Sequence, residues 1–413
     1  MRTSAVTSVL FVGGKRTEAL EAARNAGLRV VYTGPVSDMS ERHRELVDAA
    51  VLLPEFSPRV AVRVAVALHG IVPFDLAYSA GDAYLQAAAQ INQELGLRAN
   101  PLRTVSSVND KSLMREVLRG IPVGQVAAAQ VESPLDLAEF TSANGFPVIL
   151  KPRGGSASED VHLISDQDGL TALAERLAFP GGGRGAAPWV VEEYLEGREF
   201  SVETHSAAGE HLILAVTEKF KNENFVEIGH VVPARITEEE RAALAEETRS
   251  VLTALGVEEG PGHTELILTA AGPRLVETHT RPGGDAIVEL VKLAAGYDIH
   301  EMTFSWLSGK PADVSHEPVA GAAAIWFLTA EQGRVTAVGG EAEAGAGEGV
   351  RFAGLSAAVG DTIPEVRGSA DRQGEALAVG DDADSALRRA RAAIGRLRVE
   401  VEPLTPAAAP DQG

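Results

Sequence analysis

The sequence predicts an α/β protein of two or three domains. Three observations carry that expectation. The chain opens with an apolar strand, a helical stretch and a second strand, a β-α-β start. Short apolar runs bounded by Gly, Pro and Asn then recur, with amphipathic helical stretches between them. At 413 residues the chain is also long for a single core.

The first strand covers 8–12 and ends in Gly13-Gly14; a helix over 17–26 and a strand over 28–32 follow. Gly-Gly-Lys is only part of a phosphate loop and lacks the full dinucleotide fingerprint, so NAD binding is not expected. A strand over 49–53 and helices over 60–69 and 84–95 complete an N-terminal α/β domain. Asn109 or Asp110 caps a helix that ends at Gly120. Lys111 lies in its first turn, where a cation opposes the helix dipole and needs a partner or a job.

A helix over 134–144 ends at Gly145. Next comes a buried strand, 148–150, which ends in Lys151; Pro152 is expected to stop its pairing. The polar, Gly-containing loop 153–160 leads into a strand over 161–164. Such a hairpin can fold over a triphosphate and offer backbone N–H groups, or it can be a plain mobile hairpin. Residues 180–188 read as a surface loop. A strand, a turn at Gly197 and an alternating strand follow, with Glu199, Ser201 and Glu203 on one face. The stretch 219–233 is polar with little apolar periodicity and is expected to be a loop crossing a site. Within it Glu227 and His230 could receive the amine and carboxylate of an amino acid. A helix is expected over 239–255.

The stretch 263–285, HTELILTAAGPRLVETHTRPGGD, is the centre of the chain. Two apolar runs flank a turn at 271–273, a β-hairpin pattern. It would bring Glu265 and Glu277 together on neighbouring strands, a hard-oxygen site suited to Mg²⁺. Arg281 lies four residues further on, and Gly283 and Gly284 let a backbone approach a ligand. A helix over 287–295 follows. Beyond about residue 319 short strands alternate with turns; 340–349 is expected to be an exposed loop, and 383–396 a helix before a strand over 397–401. Residues 403–413 are an expected disordered tail.

Composition excludes several classes. No apolar run nears the roughly 20 residues needed to span a bilayer, so no membrane partner is expected. The N-terminus reads as a first strand running into a Gly turn, without a small-residue cleavage site, so no signal peptide is expected. There are no cysteines, which rules out disulfides and thiolate metal sites. A net charge of −21 argues against nucleic acid as a partner. A cytoplasmic location is expected, with a homodimer as the assembly to test.

Taken together these pieces resemble the ATP-grasp superfamily, and within it the carboxylate–amine ligases. The hits are Asp110-Lys111, ILKP at 149–152, EEYLEGREFSVE at 192–203, HTE at 263–265 and ETHTRPGGD at 277–285. FVEIGHVVPA at 225–234 looks most like the L-amino-acid ligase branch. The C-terminal part resembles the last domain of biotin carboxylase. The resemblance implies an ATP-grasp fold with an N-terminal Rossmann-like pre-ATP-grasp domain (1–105). An ATP-grasp domain (106–318, with a small lid over about 122–197) and a C-terminal biotin-carboxylase-like α+β domain (319–402) would follow.

It also implies roles. Lys111 and Lys151 would hold the ATP phosphates, and loop 153–160, with Ser156, would close over them. Glu192, Glu193 and Leu195 would flank the adenine edge and Glu199 would take the ribose. Glu265 and Glu277 would bind Mg²⁺, and Arg281 would serve the reacting centre. Where the family has E-x-N this chain has His279, a softer ligand than Mg²⁺ favours, so His279 is a metal ligand, a substrate contact or a structural residue. The cofactors implied are ATP and Mg²⁺; the substrates are a small-molecule carboxylate and an amine, joined through an acyl phosphate. A formate-dependent or purine-pathway ligase and a non-catalytic nucleotide-binding regulator are the competing readings.

Overall fold

Four parallel strands, β1 (Ser8–Val12), β2 (Arg29–Pro35), β3 (Ala49–Leu53) and β4 (Leu76–Tyr78), form a sheet in the order β3-β2-β1-β4. The computed structural model describes residues 6–154, 160–177, 189–311 and 315–404. Every residue of β1 is buried, and all but Ser8 are apolar, because helices cover both faces of the sheet. Val9 and Phe11 pack with Ala19 and Leu20 of helix Glu18–Asn25, while Leu10 and Val12 pack with helices Pro58–His69 and Asp82–Leu95. Gly13 and Gly14 leave β1 with φ of +61° and +101°. A Cβ on Gly13 would lie 2.4 Å from the Tyr84 ring, so only glycine fits this turn.

A second, antiparallel sheet joins β5 (Ala128–Val131), β6 (Val148–Pro152), β7 (His162–Ile164) and β8 (Trp189–Glu193) in the order β5-β8-β6-β7. Helices Pro134–Asn144 and Gln167–Arg176 close its apolar face through Leu137, Phe140, Leu170 and Leu173. Pro152 does not interrupt the strand; it is the last residue of β6 and sits opposite Trp189. A proline is tolerated there because a strand end has no further ladder bond to make. The expected phosphate loop and Ser156 fall largely outside the described residues, as do 180–188 and most of the expected tail.

The third sheet carries the site. Its strands are β9 (Arg198–Ala207), β10 (Glu210–Lys221), β11 (Glu227–Val232), β12 (Gly260–Thr269) and β13 (Gly272–His279). Beyond residue 319 come β14 (Ala322–Leu328), β15 (Gly333–Gly339), β16 (Val350–Leu355), β17 (Thr362–Ile363), β18 (Gly374–Gly380) and β19 (Arg398–Glu402). Eight of these form one sheet, β13-β12-β9-β10-β11-β14-β18-β16, and the others a small sheet β17-β15-β19. The expected boundary at 318/319 is therefore no break in the sheet, since β11 pairs directly with β14. β8 and β9, four residues apart, belong to different sheets. Gly197 lies in that link; a Cβ there would sit 2.3 Å from the Leu268 carbonyl oxygen.

Three local expectations need correction. The hairpin turn is Ala270-Ala271, and Pro273 already pairs with Leu268, because Gly272 at φ +102° returns the chain to the ladder at once. The stretch 219–233 is no crossing loop: it is the end of β10 and all of β11, joined by a short turn. Lys219, Glu227 and His230 turn inward and meet one another, which hides the strand pattern. The segment 340–349 contains helix Glu341–Gly345, with Ala344 fully buried. Helices Leu102–Asn109 and Ile299–Leu307 were not foreseen. Among the described residues no helix is long and apolar enough to cross a membrane.

Candidate active site

The hairpin β12–β13 sets the site. Its register places Glu265 directly opposite Glu277, and each carboxylate has its own cation. Lys111 reaches Glu277 at 2.8 Å, which identifies the partner that this first-turn lysine required. Asp110 caps the lysine's helix by accepting from the Ser112 and Leu113 N–H groups at 2.9 and 3.1 Å. That cap fixes the helix start, and with it Lys111, at a gain of about 1 kcal/mol. Lys219 pairs with Glu265 and Glu227, and lies 3.8 Å from Glu199. Burial works against charge on Glu265 and Glu277, yet Lys219 and Lys111 hold them well below the usual carboxylate range. His263 shares hydrogen bonds with Glu203 at 2.9 Å and Glu265 at 3.1 Å. Burial lowers its pKa, but Glu203 and Glu265 push it up to about 9, so the ring is a cation near neutrality.

Two cavities flank this hairpin. The larger, about 670 Å³, lies between the second and third sheets. Lys111, Lys151, Glu192, Glu193, Leu195 and Glu199, the residues expected to hold a nucleotide, all border it. Ile149, Phe220, Ile228 and Trp326 add apolar surface. Lys151 is nearly buried and meets Glu192 at 2.7 Å; Arg115 meets the same carboxylate at 2.7 and 3.0 Å. Burial disfavours charge on Glu192, but Arg115 and Lys151 hold it down at about 2. Burial lowers the Lys151 pKa, and Glu192 opposes that only in part. Two cations on one carboxylate leave a positive excess facing the cavity. Glu193 is tied down by the Ala127 N–H at 2.8 Å, and Glu199 by Lys221 at 2.7 Å.

The second cavity, about 500 Å³, lies between the first sheet and the hairpin. Arg281, Gly283, Gly284 and Glu227 line it. The two cavities share Lys219, Glu265 and Glu277 as a common wall. Arg281 is not free: Asp82, at the start of helix Asp82–Leu95, holds its Nε and Nη2, and Nη1 donates to the Pro282 carbonyl at 2.8 Å. Gly283 is required by the protein itself, since a Cβ would lie 2.9 Å from His263 Nδ1; at Gly284 nothing is within 4 Å.

Two expected contacts are displaced. His230 is fully buried and lines neither cavity. It stands behind Asp285, at 3.4 Å, and so cannot touch substrate directly. Asp285 reaches the cavity in its place, bound by Arg372 at 2.6 and 2.8 Å. Burial works against the Asp285 charge, and His230 and Arg372 hold its carboxyl well below the usual range. His279 also lines neither cavity; its Nε2 meets Glu277 at 3.0 Å, and its buried Nδ1 makes no hydrogen bond among the described residues and lies 3.5 Å from Asp82.

Lys219, Arg115, Asp82, Asp285 and Arg372 were missed. Arg115 could have been read, because it lies one helical turn past Lys111 on the same face. The others depend on contacts between distant segments and left no local signal.

The residues fit the groups the site was expected to hold. Opposed carboxylates held ionised are the hard oxygen donors that Mg²⁺ takes. The larger cavity falls within the usual size of a small-molecule site and joins apolar walls to a cationic end, as a nucleotide needs. The ATP-grasp domain family matches residues 144–289, the stretch that carries both carboxylates. This chain carries an ATP-grasp domain. A second match, L-amino acid ligase C-terminal domain 2, covers residues 326–402. The chain is 25% identical over 252 residues to alanine–anticapsin ligase of Bacillus subtilis (strain 168), a match covering 56% of this chain and 53% of that relative. It thus spans about half the length of that curated relative. Its fold matches the L-amino acid ligase from Bacillus licheniformis with a TM-score of 0.81 at 21% identity, over 97% of this chain and 100% of that one. Biotin carboxylase from Campylobacter jejuni shares the fold at a TM-score of 0.69 and 17% identity, over 96% of this chain and 93% of that one.

Proposed function

We propose that this ATP-grasp protein is an ATP-dependent carboxylate–amine ligase, with an amino acid as one substrate and with ADP and phosphate as products. The observation that carries the reading is the shared wall. A nucleotide in the larger cavity and a carboxylate in the smaller one would meet at Lys219, Glu265 and Glu277.

The substrate carboxylate oxygen attacks the γ-phosphorus of ATP, ADP leaves, and an acyl phosphate forms. Such a transfer needs positioning and charge neutralisation more than covalent help from the protein. Lys111 and the positive excess at Lys151 and Arg115 supply charge on the nucleotide side. Glu265 and Glu277 would hold Mg²⁺, which when bound neutralises phosphate charge. An amine then attacks the acyl carbon and phosphate leaves. Arg281, oriented by Asp82, keeps N–H groups available for the oxyanion that develops there. Glu227 and Asp285 would set the position of an amino acid, with His230 acting through Asp285.

A phosphoribosyl substrate, as in a purine-pathway ligase, suits this cavity poorly, because Asp38, Asp82, Glu227 and Asp285 all line it. Action in the cytoplasm, where ATP is supplied, is part of the same proposal, and sedimentation tests the homodimer. The reading is tested by incubating the protein with ATP, Mg²⁺ and amino-acid pairs. ADP released together with a product of amide mass supports it; ADP without a condensation product, or no turnover with any pair, contradicts it.

A further inference from the structure

Three aspartates line the smaller cavity, and their partners differ. Asp82 holds Arg281, and Asp285 holds Arg372. Asp38, at the C-terminal end of the first sheet, forms no ion pair with a described lysine, arginine or histidine. It is only 5% exposed. Its Oδ2 accepts from the Gly14 N–H at 3.1 Å and from the Tyr84 hydroxyl at 2.6 Å. Both bonds fall on one oxygen, so Oδ1 remains for another donor. Burial, then Asp38 itself, pushes the Tyr84 hydroxyl up to about 12, which keeps it a donor. The Tyr84 ring is fixed edge-on to Phe56, with centroids 4.5 Å apart.

A nearly buried carboxylate without a counter-charge is costly, and two neutral donors offset only part of that cost. The missing partner is a cation, and the cavity gives it access. We propose that Asp38 is a recognition subsite for a cationic group, an ammonium or guanidinium, on one of the ligase's two substrates. The glycine turn 13–14 and Tyr84 preorganise the carboxylate, and the apolar side chains of Phe11, Ala19 and Leu20 line the same cavity, suited to an aliphatic stem. Lys15 and Arg16 stand exposed at the rim. Were they the determinant, an acidic side chain would be preferred instead.

The subsite rests on the ligase reading for what happens to the bound substrate, so binding and turnover are measured separately. Titration calorimetry compares L-lysine, L-norleucine and L-glutamate in the presence of Mg²⁺ and a non-hydrolysable ATP analogue. Lysine is expected to bind about tenfold more tightly than norleucine, as one charge-assisted contact provides. Asp38→Asn keeps an acceptor oxygen for Gly14 and Tyr84 and should erase that ratio. Equal or tighter binding of norleucine or glutamate by the wild-type protein overturns the proposal, and that comparison needs no variant. A lysine preference that survives Asp38→Asn overturns it too. A lysine preference without ADP release or amide formation from any pair would sustain the subsite and defeat the ligase reading.

Discussion

Replacing Lys151 with methionine isolates the nucleotide side of the account. The side chain is 8% exposed and its ammonium sits 2.7 Å from Glu192. Arg115 holds the same carboxylate at 2.7 and 3.0 Å, so Glu192 stays paired when Lys151 loses its charge. Methionine keeps most of the aliphatic stem, and the packing around β6 should survive. What disappears is the positive excess at the cavity wall. A charge-assisted contact to phosphate contributes about 1.5–3 kcal/mol. The dissociation constant for nucleotide should therefore rise about 10- to 150-fold. Calorimetry with a non-hydrolysable ATP analogue and Mg²⁺ reads this directly, with thermal melting as the control for folding. A folded Lys151→Met protein with unchanged nucleotide affinity would refute the reasoning.

Other perturbations separate the remaining parts. Glu277→Gln removes one of two opposed carboxylates and frees Lys111; turnover should vanish and Mn²⁺ affinity, followed by electron paramagnetic resonance, should drop, whereas retained affinity removes Glu277 from the metal site. Arg281→Met should keep nucleotide affinity and lower kcat by about a hundredfold or more, as loss of an oxyanion donor does; a rise in KM with kcat preserved would assign Arg281 to ground-state binding instead. Glu192 predicts an acid limit. Its carboxyl is depressed to about 2 in the folded protein, so its stabilisation is complete above the ordinary value near 4.5 and is lost as pH falls toward 2. That amounts to roughly 3 kcal/mol. Denaturant melts from pH 5 to 2 should show wild-type stability falling toward that of Glu192→Gln, and parallel curves would contradict the assignment.

Much of the site could be read from the sequence because its parts are local. The approach of Glu265 to Glu277 was legible from two apolar runs around one turn, but the turn's register alone would set Glu265 against Val276, and a bulge between Glu265 and Leu266 brings Glu277 opposite instead. Lys111 was conspicuous because a first-turn lysine opposes the helix dipole. The alternation that marks Glu199, Ser201 and Glu203 likewise needs only one strand. The failures have one physical cause. In residues 219–233 Lys219, Lys221 and Glu227 find their partners on other strands, so a strand pair mimics a loop. Lys219 belongs there, and the signal for it is the three carboxylates it meets, which lie 8, 20 and 46 positions away in the chain. His230 was misplaced for a related reason: proximity to Glu227 in sequence said nothing of Asp285, which stands between His230 and the cavity. A composition shift near residue 319 likewise does not reveal that β14 continues the sheet begun by β9–β13.

The central claim is that the two cavities exchange a phosphoryl group across Lys219, Glu265 and Glu277. Isotope transfer tests it most directly. An amino acid labelled with heavy oxygen in its carboxylate is turned over with unlabelled ATP in unlabelled water, and the released phosphate is weighed by mass spectrometry. The account predicts that ADP forms and that each phosphate carries one heavy oxygen from the carboxylate. Unlabelled phosphate, or AMP with pyrophosphate, would contradict it.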